Sequence, residues 1–462
     1  MKPSFLIYSA SIILTVGVLS ACKIAHPYGQ PAVVNQDSFR NQQTTDSNTL
    51  GSLPIFELFR DTMLQSLICK GLEQNFDVKI AYTRIQQFQA YYEQSRAAFY
   101  PTLITNLGVG ASKLTEAQGF GSRTITQFQP GVSSTWEINV WGKLSSSRRA
   151  SQAALMQTQS GYRAIQTSIV SAIASNYFLL LALDQQLAIT EQTVKNWDTT
   201  VTVMQALKLA AIVTQAAVVQ TEAQRYAAEV TIPDLKQNIY ETENAISILT
   251  GQPPRSIMRS SLDIQQMPGV LQTGVPSQLL SNRPDVQEAE YAFRTAFELT
   301  NVARASFYPS IYINASLGLS SLNLSSLFDA GAVAGSIATG LTQPIFNRRL
   351  LRTNLTVAKS QQEAALYDFQ NILLVASQEV SNAYSLHQNA LEKISVRSKA
   401  LSALEKSVDY TQELLRNGFA NYTEVITARQ ALLSAQLGKV NDRLQQLQAM
   451  VNLYRALGGG LK

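Results

Sequence analysis

The sequence has very few of the residues from which catalytic and metal sites are usually built. Its 462 residues include two cysteines and two histidines, and 15% are charged, against about a quarter in average domains. It contains no glycine-rich phosphate loop, metal-ligand spacing or nucleophile motif. We therefore expect no enzyme activity, no cofactor and no metal site.

Three further absences narrow the class of protein. The formal net charge of +5 is too small for a nucleic-acid footprint, so no nucleic-acid partner is expected. If Cys22 carries lipid, as its position suggests, Cys69 is the only cysteine left with a free thiol. A single thiol excludes an intramolecular disulfide framework. No uninterrupted apolar run of membrane-spanning length follows residue 21. Any passage through a membrane would therefore use strands.

The N-terminus predicts a lipoprotein signal peptide at residues 1–21. Lys2 precedes an apolar segment, and residues 19–22 read Leu-Ser-Ala-Cys, which resembles a bacterial lipobox. Cys22 is then the predicted first residue, N-palmitoylated and carrying an S-diacylglycerol, and several acyl chains anchor stably where a single one is marginal. The alternative is an ordinary secretory signal with an incidental cysteine. The polar residues 22–52 predict a flexible tether behind the anchor.

The chain contains two copies of one short motif. Residues 95–101 read Ser-Arg-Ala-Ala-Phe-Tyr-Pro, and residues 303–309 read Ala-Arg-Ala-Ser-Phe-Tyr-Pro. Their separation of 208 positions is far longer than the period of a solenoid, which is about 20–50 residues. The sequence therefore predicts a duplicated, domain-sized unit, with a first repeat at 53–254, a linker at 255–282 and a second repeat at 283–462.

Each repeat contains a predicted β-hairpin directly after the motif. In the hairpins, at 102–141 and 310–346, apolar residues alternate with small or polar ones, which is typical of strands. Strands of about 10 residues with one apolar face have the length and pattern of transmembrane β-strands. Four strands cannot close a barrel, and open edges are not tolerated in lipid. Three copies would supply 12 strands, so the sequence predicts an oligomer.

A long helical hairpin follows each β-hairpin. Residues 144–210 contain no proline and one glycine, and residues 350–416 contain neither. Each stretch predicts one continuous helix on the order of 100 Å long. Return helices are expected at about 214–249 and 423–457. The predicted fold class is therefore an α+β membrane protein with a duplicated β-hairpin and long helical hairpin.

Four segments carry a resemblance to a known family. Residues 283–290 read Arg-Pro-Asp-Val-Gln-Glu-Ala-Glu, and residues 341–346 read Leu-Thr-Gln-Pro-Ile-Phe. With the motif at 303–309 and Val-Asn-Leu-Tyr-Arg-Ala-Leu-Gly-Gly-Gly at 451–460, they resemble the TolC-like outer-membrane efflux family. The branch is that of the lipoproteins that work with resistance-nodulation-division pumps. The resemblance covers essentially the whole mature chain.

The resemblance implies an architecture and a function. It implies a homotrimer whose 12-stranded β-barrel in the outer membrane continues as an α-helical barrel through the periplasm. The implied function is a passive exit duct for drugs or other small molecules, with a periplasmic adaptor and an inner-membrane pump as partners. The implied location is the outer membrane of a Gram-negative bacterium. A duct for type I protein secretion is one alternative, and a non-conducting, lipid-anchored coiled-coil protein is another.

The resemblance also implies a gate where the long helices turn. Asn417 and Gly418 form the predicted turn of the second helical hairpin. Phe419, Thr423 and Thr427 are four residues apart and would share one face if the helix began early, so they are the gate candidates. Relatives have an Asp where this chain has Thr427, which places an acidic ring in doubt, although Glu424 could supply the charge if the local register differs. Packing of helix against helix is an alternative role for the three. The first hairpin lacks a glycine at the matching turn, around Ala211.

Overall fold

A computed structural model of the protein describes residues 24–31, 55–114, 123–265 and 282–459. The helices and strands in these ranges are α1 Ile55–Leu58, α2 Thr62–Gln74, α3 Phe76–Ala97, β1 Thr102–Leu114, β2 Arg123–Ile138, α4 Lys143–Leu209, α5 Gln215–Glu229, α6 Thr231–Leu249, α7 Pro284–Ala305, β3 Ser310–Leu319, β4 Val333–Thr342, α8 Leu350–Arg416 and α9 Tyr422–Ala456. The predicted signal peptide, Cys22, most of the tether and residues 266–281 of the linker lie outside these ranges.

The two long helices are equal in length and are bounded in the same way. Helices α4 and α8 contain 67 residues each. Gly142 (φ +77°) precedes α4 and Ala211 (φ +59°) follows it, while Arg349 (φ +65°) precedes α8 and Gly418 (φ +77°) follows it. A positive φ cannot continue a right-handed helix and is strained in any residue other than glycine. Each copy therefore has a glycine at one boundary of its long helix and a strained residue at the other, and in the second copy Arg348 (φ +54°) is strained as well.

The predicted return helix of the first repeat is divided into α5 and α6 close to Pro233. Proline has no N–H to donate to the carbonyl four residues earlier, and its ring crowds that carbonyl. The carbonyl in question is that of Glu229, and α5 ends at that residue. Helix α6 begins at Thr231, so Pro233 lies in its first turn, where a missing N–H is tolerated.

The four strands form one antiparallel sheet in the order β1-β2-β3-β4. The register pairs Thr102 with Thr135, Ile138 with Ile311 and Ser310 with Thr342. These pairs lie at the end of the sheet where every strand joins a helix, which we call the helix-side end. Strands β1 and β4 are the outer strands, so their outward-facing backbone groups have no partner strand among the described residues.

The chain folds into two compact units, and each unit combines segments of both halves. The first includes the described parts of 1–32, 84–158 and 288–369, and so contains the sheet. The second includes the described parts of 33–83, 159–287 and 370–462. Packing therefore joins equivalent segments of the two repeats. The predicted repeat boundaries follow the duplication along the chain, and they remain a prediction.

The core of the second unit is built from aromatic and aliphatic side chains of α1, α2, α4, α8 and α9. Phe59 contacts Phe178 and Tyr454, with ring centroids 6.3 and 5.9 Å apart. Burial raises the pKa of Tyr177 to about 12, and its hydroxyl donates to Asp61 Oδ2 at 2.7 Å. One 18-residue window of α4 is apolar enough to cross a membrane, but 56% of it is buried, as in a core helix.

Asp61 fastens residues 260–265, part of the predicted linker, to this core. Its carboxylate accepts hydrogen bonds from the hydroxyls of Ser260 and Tyr177 and from Gln265 Nε2. Burial alone would raise the pKa of Asp61, but these hydrogen bonds outweigh burial and lower that pKa below its usual value. Asp61 is also the N-cap of α2. One carboxylate therefore links a helix start, α4 and the end of the described linker.

Residues 24–31, which fall within the predicted tether, lie against α7 in the first unit. The side chain of Asn301 accepts from the His26 N–H (3.2 Å) and donates to the His26 carbonyl (3.0 Å). The ring of Tyr28 packs on Phe293 and Phe297, at centroid distances of 6.0 and 5.6 Å. Paired backbone groups and buried rings hold a segment that composition alone predicts to be flexible.

Candidate functional site: the faces of the sheet and the turns of the long helices

One face of the sheet is apolar and exposed. The register aligns Val132 with Thr105 on one side and with Leu317 on the other, and Leu317 with Gly335 of β4. The apolar sets of all four strands therefore lie on the same face. Leu107 and Ile337 on this face are 85% and 78% exposed. Large apolar side chains repeated along every strand are typical of a surface that contacts lipid. The sequence prediction of one apolar face per strand is confirmed.

The opposite face is small, polar and almost uncharged. Hydrogen bonds cross it from strand to strand: Asn106 Nδ2 donates to Ser133 Oγ (3.0 Å), and Thr135 Oγ1 donates to Asn314 Oδ1 (3.0 Å). Glu137 is the one charged residue of this face among the described side chains, and it forms an ion pair with Lys143 at 3.0 Å. Hydroxyl and amide groups without free charge suit a wetted surface along which unlike solutes can pass.

Aromatic side chains close the junction between sheet and helices. Trp136 Nε1 donates to the Phe99 carbonyl at 2.9 Å, and Gln343 Nε2 donates to the matching Phe307 carbonyl at 3.1 Å. Trp141 Nε1 donates to the Pro309 carbonyl at 2.7 Å. In both copies of the repeated motif, the carbonyl of its phenylalanine therefore accepts a hydrogen bond from a side chain of the adjoining hairpin.

The second turn follows the prediction in its backbone. Gly418 N–H donates to the Leu415 carbonyl (3.1 Å) and Phe419 N–H donates to the Leu414 carbonyl (2.8 Å), which forms a Schellman motif. Asn421 caps α9 in a capping box with Glu424. The side chain of Asn417 donates to the Glu413 carbonyl at 2.9 Å. Both predicted turn residues therefore help to end the long helix.

The three gate candidates do not share one helical face. Helix α9 begins at Tyr422, so Phe419 lies in the turn before the N-cap, with its side chain 82% exposed. Thr423 and Thr427 are exposed one turn apart on α9, and Thr427 Oγ1 donates to the Thr423 carbonyl at 2.9 Å. The structure thus pairs the two threonines and places the phenylalanine on the loop beside them.

The first turn has the same architecture without a glycine. Ala211 N–H donates to the Lys208 carbonyl and Ile212 N–H donates to the Leu207 carbonyl, both at 2.9 Å. Thr214 then caps α5. The loss of glycine therefore leaves the Schellman motif intact and transfers the positive φ to Ala211.

A small cluster near the second turn was not predicted from the sequence. Trp197 and Ile426 are buried with Val194 and Ala228, which joins α4, α5 and α9. The guanidinium of Arg429 lies 5.8 Å from the centroid of the Trp197 ring, and it donates to the Asn196 carbonyl at 3.3 Å. Burial lowers the pKa of Arg429. These contacts hold the helix that carries Thr427 against the first helical hairpin.

The two-faced sheet and the paired helical hairpins define a channel protein of the bacterial outer membrane. The family model described as outer membrane efflux protein matches residues 67–252 and 275–459. The chain belongs to this family, and it is an outer-membrane efflux protein. The family is a family of transport channels rather than of enzymes, and membership confirms the resemblance derived from the sequence.

Named relatives and solved structures agree with this assignment. The chain is similar to the toluene efflux pump outer membrane protein TtgI of Pseudomonas putida, with 28% identity and 96% of each chain covered. It is also similar to the cation efflux system protein CusC of Escherichia coli K12, with 26% identity and 96% of this chain and 97% of the relative covered. The open-state MtrE outer membrane channel of Neisseria gonorrhoeae aligns at a TM-score of 0.86, with 25% identity over 96% of this chain and 99% of that one. The predicted fold class is confirmed.

Proposed function

We propose that the protein is the exit duct of a tripartite efflux pump and that it conducts small molecules passively. The observation that carries this proposal is the sheet. One face is apolar, the other is polar and nearly uncharged, and neither outer strand has a partner strand in the part of the chain that the structure describes. Reconstitution of the purified protein in planar bilayers tests it. Discrete conductance steps are expected, and a protein that inserts without conducting would contradict the duct.

The proposed assembly is a homotrimer. A lipid-exposed sheet needs every outer strand paired, because an unpaired N–H or carbonyl group in hydrocarbon costs several kcal/mol. Pairing β4 of one copy with β1 of the next satisfies both outer strands, and three copies supply 12 strands, well within the range of outer-membrane barrels. Mass measurement of the detergent-solubilised protein tests this stoichiometry, and a monomeric mass would contradict it.

The proposed partners are a periplasmic adaptor and an inner-membrane pump of the resistance-nodulation-division class. The names of the relatives support a pump assembly, since they describe components of toluene and cation efflux systems. Substrates as different as toluene and cations fit a duct whose strands present a nearly uncharged polar face to the solute. Another component of the assembly would then select the substrate. Deletion of the gene should sensitise the cell to the substrates of one pump, and a variant with a blocked duct should fail to restore resistance.

The proposed anchor is the lipid on Cys22, which would hold the protein at the periplasmic surface of the outer membrane. It is supported by the position of residues 24–31, which lie on the protein body two residues after Cys22. Mass spectrometry of the N-terminal peptide should find an N-palmitoyl, S-diacylglyceryl cysteine, and Cys22→Ser should remove both groups. An unmodified cysteine in the mature protein would contradict the anchor.

The proposed gate consists of Phe419, Thr423 and Thr427 at the turn of the second helical hairpin. Support comes from their exposure and from the buried cluster of Trp197 and Ile426 beside them, which, with Arg429 over the Trp197 ring, can hold this helix closed. In the proposed assembly three copies of the turn would surround the axis. The gate would then be narrowed by hydroxyl groups and an aromatic ring in place of a ring of carboxylates.

A further inference from the structure

The helix-side end of the sheet carries arginines without anionic partners. In the second unit Arg259, Arg283 and Arg397 form ion pairs, at distances between 2.5 and 2.8 Å. Beside the helix-side end, Arg149 pairs with Glu298 at 2.7 Å. Five further arginines there form no ion pair with a described residue: Arg96, Arg148, Arg348, Arg349 and Arg352. All except Arg148, which lies over the Phe99 ring, also make no ring contact. This end of the first unit therefore presents free positive charge.

A groove and an apolar loop accompany these charges. The groove has a volume of about 480 Å³ and is lined by Glu93, Arg96, Ala97, Phe99, Tyr100 and Arg148. The loop after β4 holds Ile345 and Phe346, which are 100% and 86% exposed and are separated from Arg348 and Arg349 by one residue. Exposed apolar groups next to guanidinium groups match the boundary between acyl chains and phosphates.

The topology places the two features at matching positions. The groove adjoins the start of β1 and the loop follows the end of β4, and both positions lie at the helix-side end. Because β1 and β4 are the outer strands, pairing of β4 with β1 of a second copy would bring the loop of one copy beside the groove of the next. The two features would then form one basic site at each junction between copies.

Arg348 and Arg349 occupy a conformation that arginine rarely adopts. Their φ angles are +54° and +65°, and the equivalent position in the first repeat, 207 residues earlier, is Gly142 at +77°. Glycine would satisfy this backbone without strain. Binding of an anion by their charges would explain why two arginines, and not glycines, occupy these strained positions.

We propose that the helix-side end of the sheet binds the phosphate of an anionic phospholipid in the membrane leaflet that faces the periplasm. Arg96, Arg148, Arg348 and Arg349 contact the phosphate, while Tyr100, Ile345 and Phe346 lie among the upper acyl carbons. The proposal rests on the proposed function, because it requires the sheet to span the membrane. It adds a lipid headgroup as a ligand at the junctions of the assembly.

Lipid retention tests the proposal. The full-length protein is reconstituted in phosphatidylcholine vesicles with a minority of phosphatidylglycerol, re-extracted in mild detergent, and its bound lipids are measured by mass spectrometry. Enrichment of phosphatidylglycerol is expected, and Arg348→Gln with Arg349→Gln should reduce it about 25-fold, since each surface arginine contributes about a fivefold preference for anionic lipid. The matched control is Arg84→Gln with Arg163→Gln, two exposed arginines outside this end, and it should retain the enrichment.

Arg349→Gly separates lipid binding from folding, because it removes a positive charge and at the same time relieves the backbone strain of a positive φ. Thermal stability should be unchanged or higher while the enrichment falls, and an enrichment that follows stability would overturn the proposal. Binding of free inorganic phosphate without any enrichment of phosphatidylglycerol would indicate an anion site without a lipid, and would also overturn it. A wild-type protein that conducts without enrichment contradicts this proposal only, whereas one that neither inserts nor conducts contradicts the proposed function as well.

Discussion

Ala211 and Gly418 occupy the same position in two copies of one turn, 207 residues apart, with φ angles of +59° and +77°. Each donates its N–H to a carbonyl three residues earlier, and the next residue donates five back. The two turns therefore differ in strain and not in architecture. The first turn retains a side chain where glycine is the favoured residue.

Ala211→Gly should stabilise the first helical hairpin by about 1 kcal/mol, because it removes the left-handed strain of an alanine. Gly418→Ala should destabilise the second by a similar amount. Hydrogen exchange of amides in the last turns of α4 and α8 measures both effects locally. Equal exchange in wild type and variants would mean that the strain is relieved elsewhere in the turn.

Thr427→Asp should increase cation selectivity in planar bilayers, since three carboxylates would surround the proposed gate. The expected change is a shift of the reversal potential in a salt gradient toward the cation potential. Thr199→Asp, at an exposed threonine on α4, is the control with the same charge change. If neither selectivity nor conductance responds to Thr427→Asp, then Thr427 does not face the duct.

Arg429→Gln should favour the open state of the turn. It removes the cation–π contact with Trp197 and the hydrogen bond to the Asn196 carbonyl, contacts that together contribute about 1–2 kcal/mol. That corresponds to a roughly five- to thirtyfold change in the ratio of open to closed channels, measured as open probability. Arg429→Lys keeps the charge but not the planar donor group, and an intermediate effect is expected. A variant with wild-type open probability would show that the cluster is not part of the gate.

Asp61→Asn should lower the stability of the protein at neutral pH and make that stability less sensitive to acidification. The pKa of Asp61 is lower in the folded protein, so its stabilisation is present above about pH 4, the pKa of an unperturbed aspartate, and is lost as pH falls through the folded value. The difference between the melting temperatures at neutral and at acid pH should therefore be smaller in the variant than in the wild type. Tyr177→Phe, which removes one of the three donors, should give part of this effect.

Much of the fold could be predicted from the sequence because its patterns are long. Helix α8 begins and ends at the predicted residues, since 67 residues without proline or glycine have no place to break. The strands also lie where the alternation predicts them, because both repeats follow the same motif. The fold class could therefore be predicted from the sequence of a single chain.

The site was less predictable, because it depends on contacts between distant residues. The contact of Arg429 with Trp197 joins residues more than 200 positions apart, and no local sequence pattern predicts it. The docking of residues 24–31 depends on one amide, that of Asn301, and on two rings of α7. Phe419 does not share a helical face with Thr423 and Thr427, because the Asn421 cap starts α9 three residues later than a helix including Phe419 would require.

The equal lengths of α4 and α8 restrict how this chain can change. Because each residue advances a helix by about 1.5 Å, removing one turn from α4 alone would shift its turn by about 5 Å relative to that of α8. The cluster of Trp197, Ile426 and Arg429 could not form across such an offset. Insertions and deletions in the long helices should therefore be tolerated as matched pairs, one in each repeat, and natural length variants should differ by the same number of residues in both.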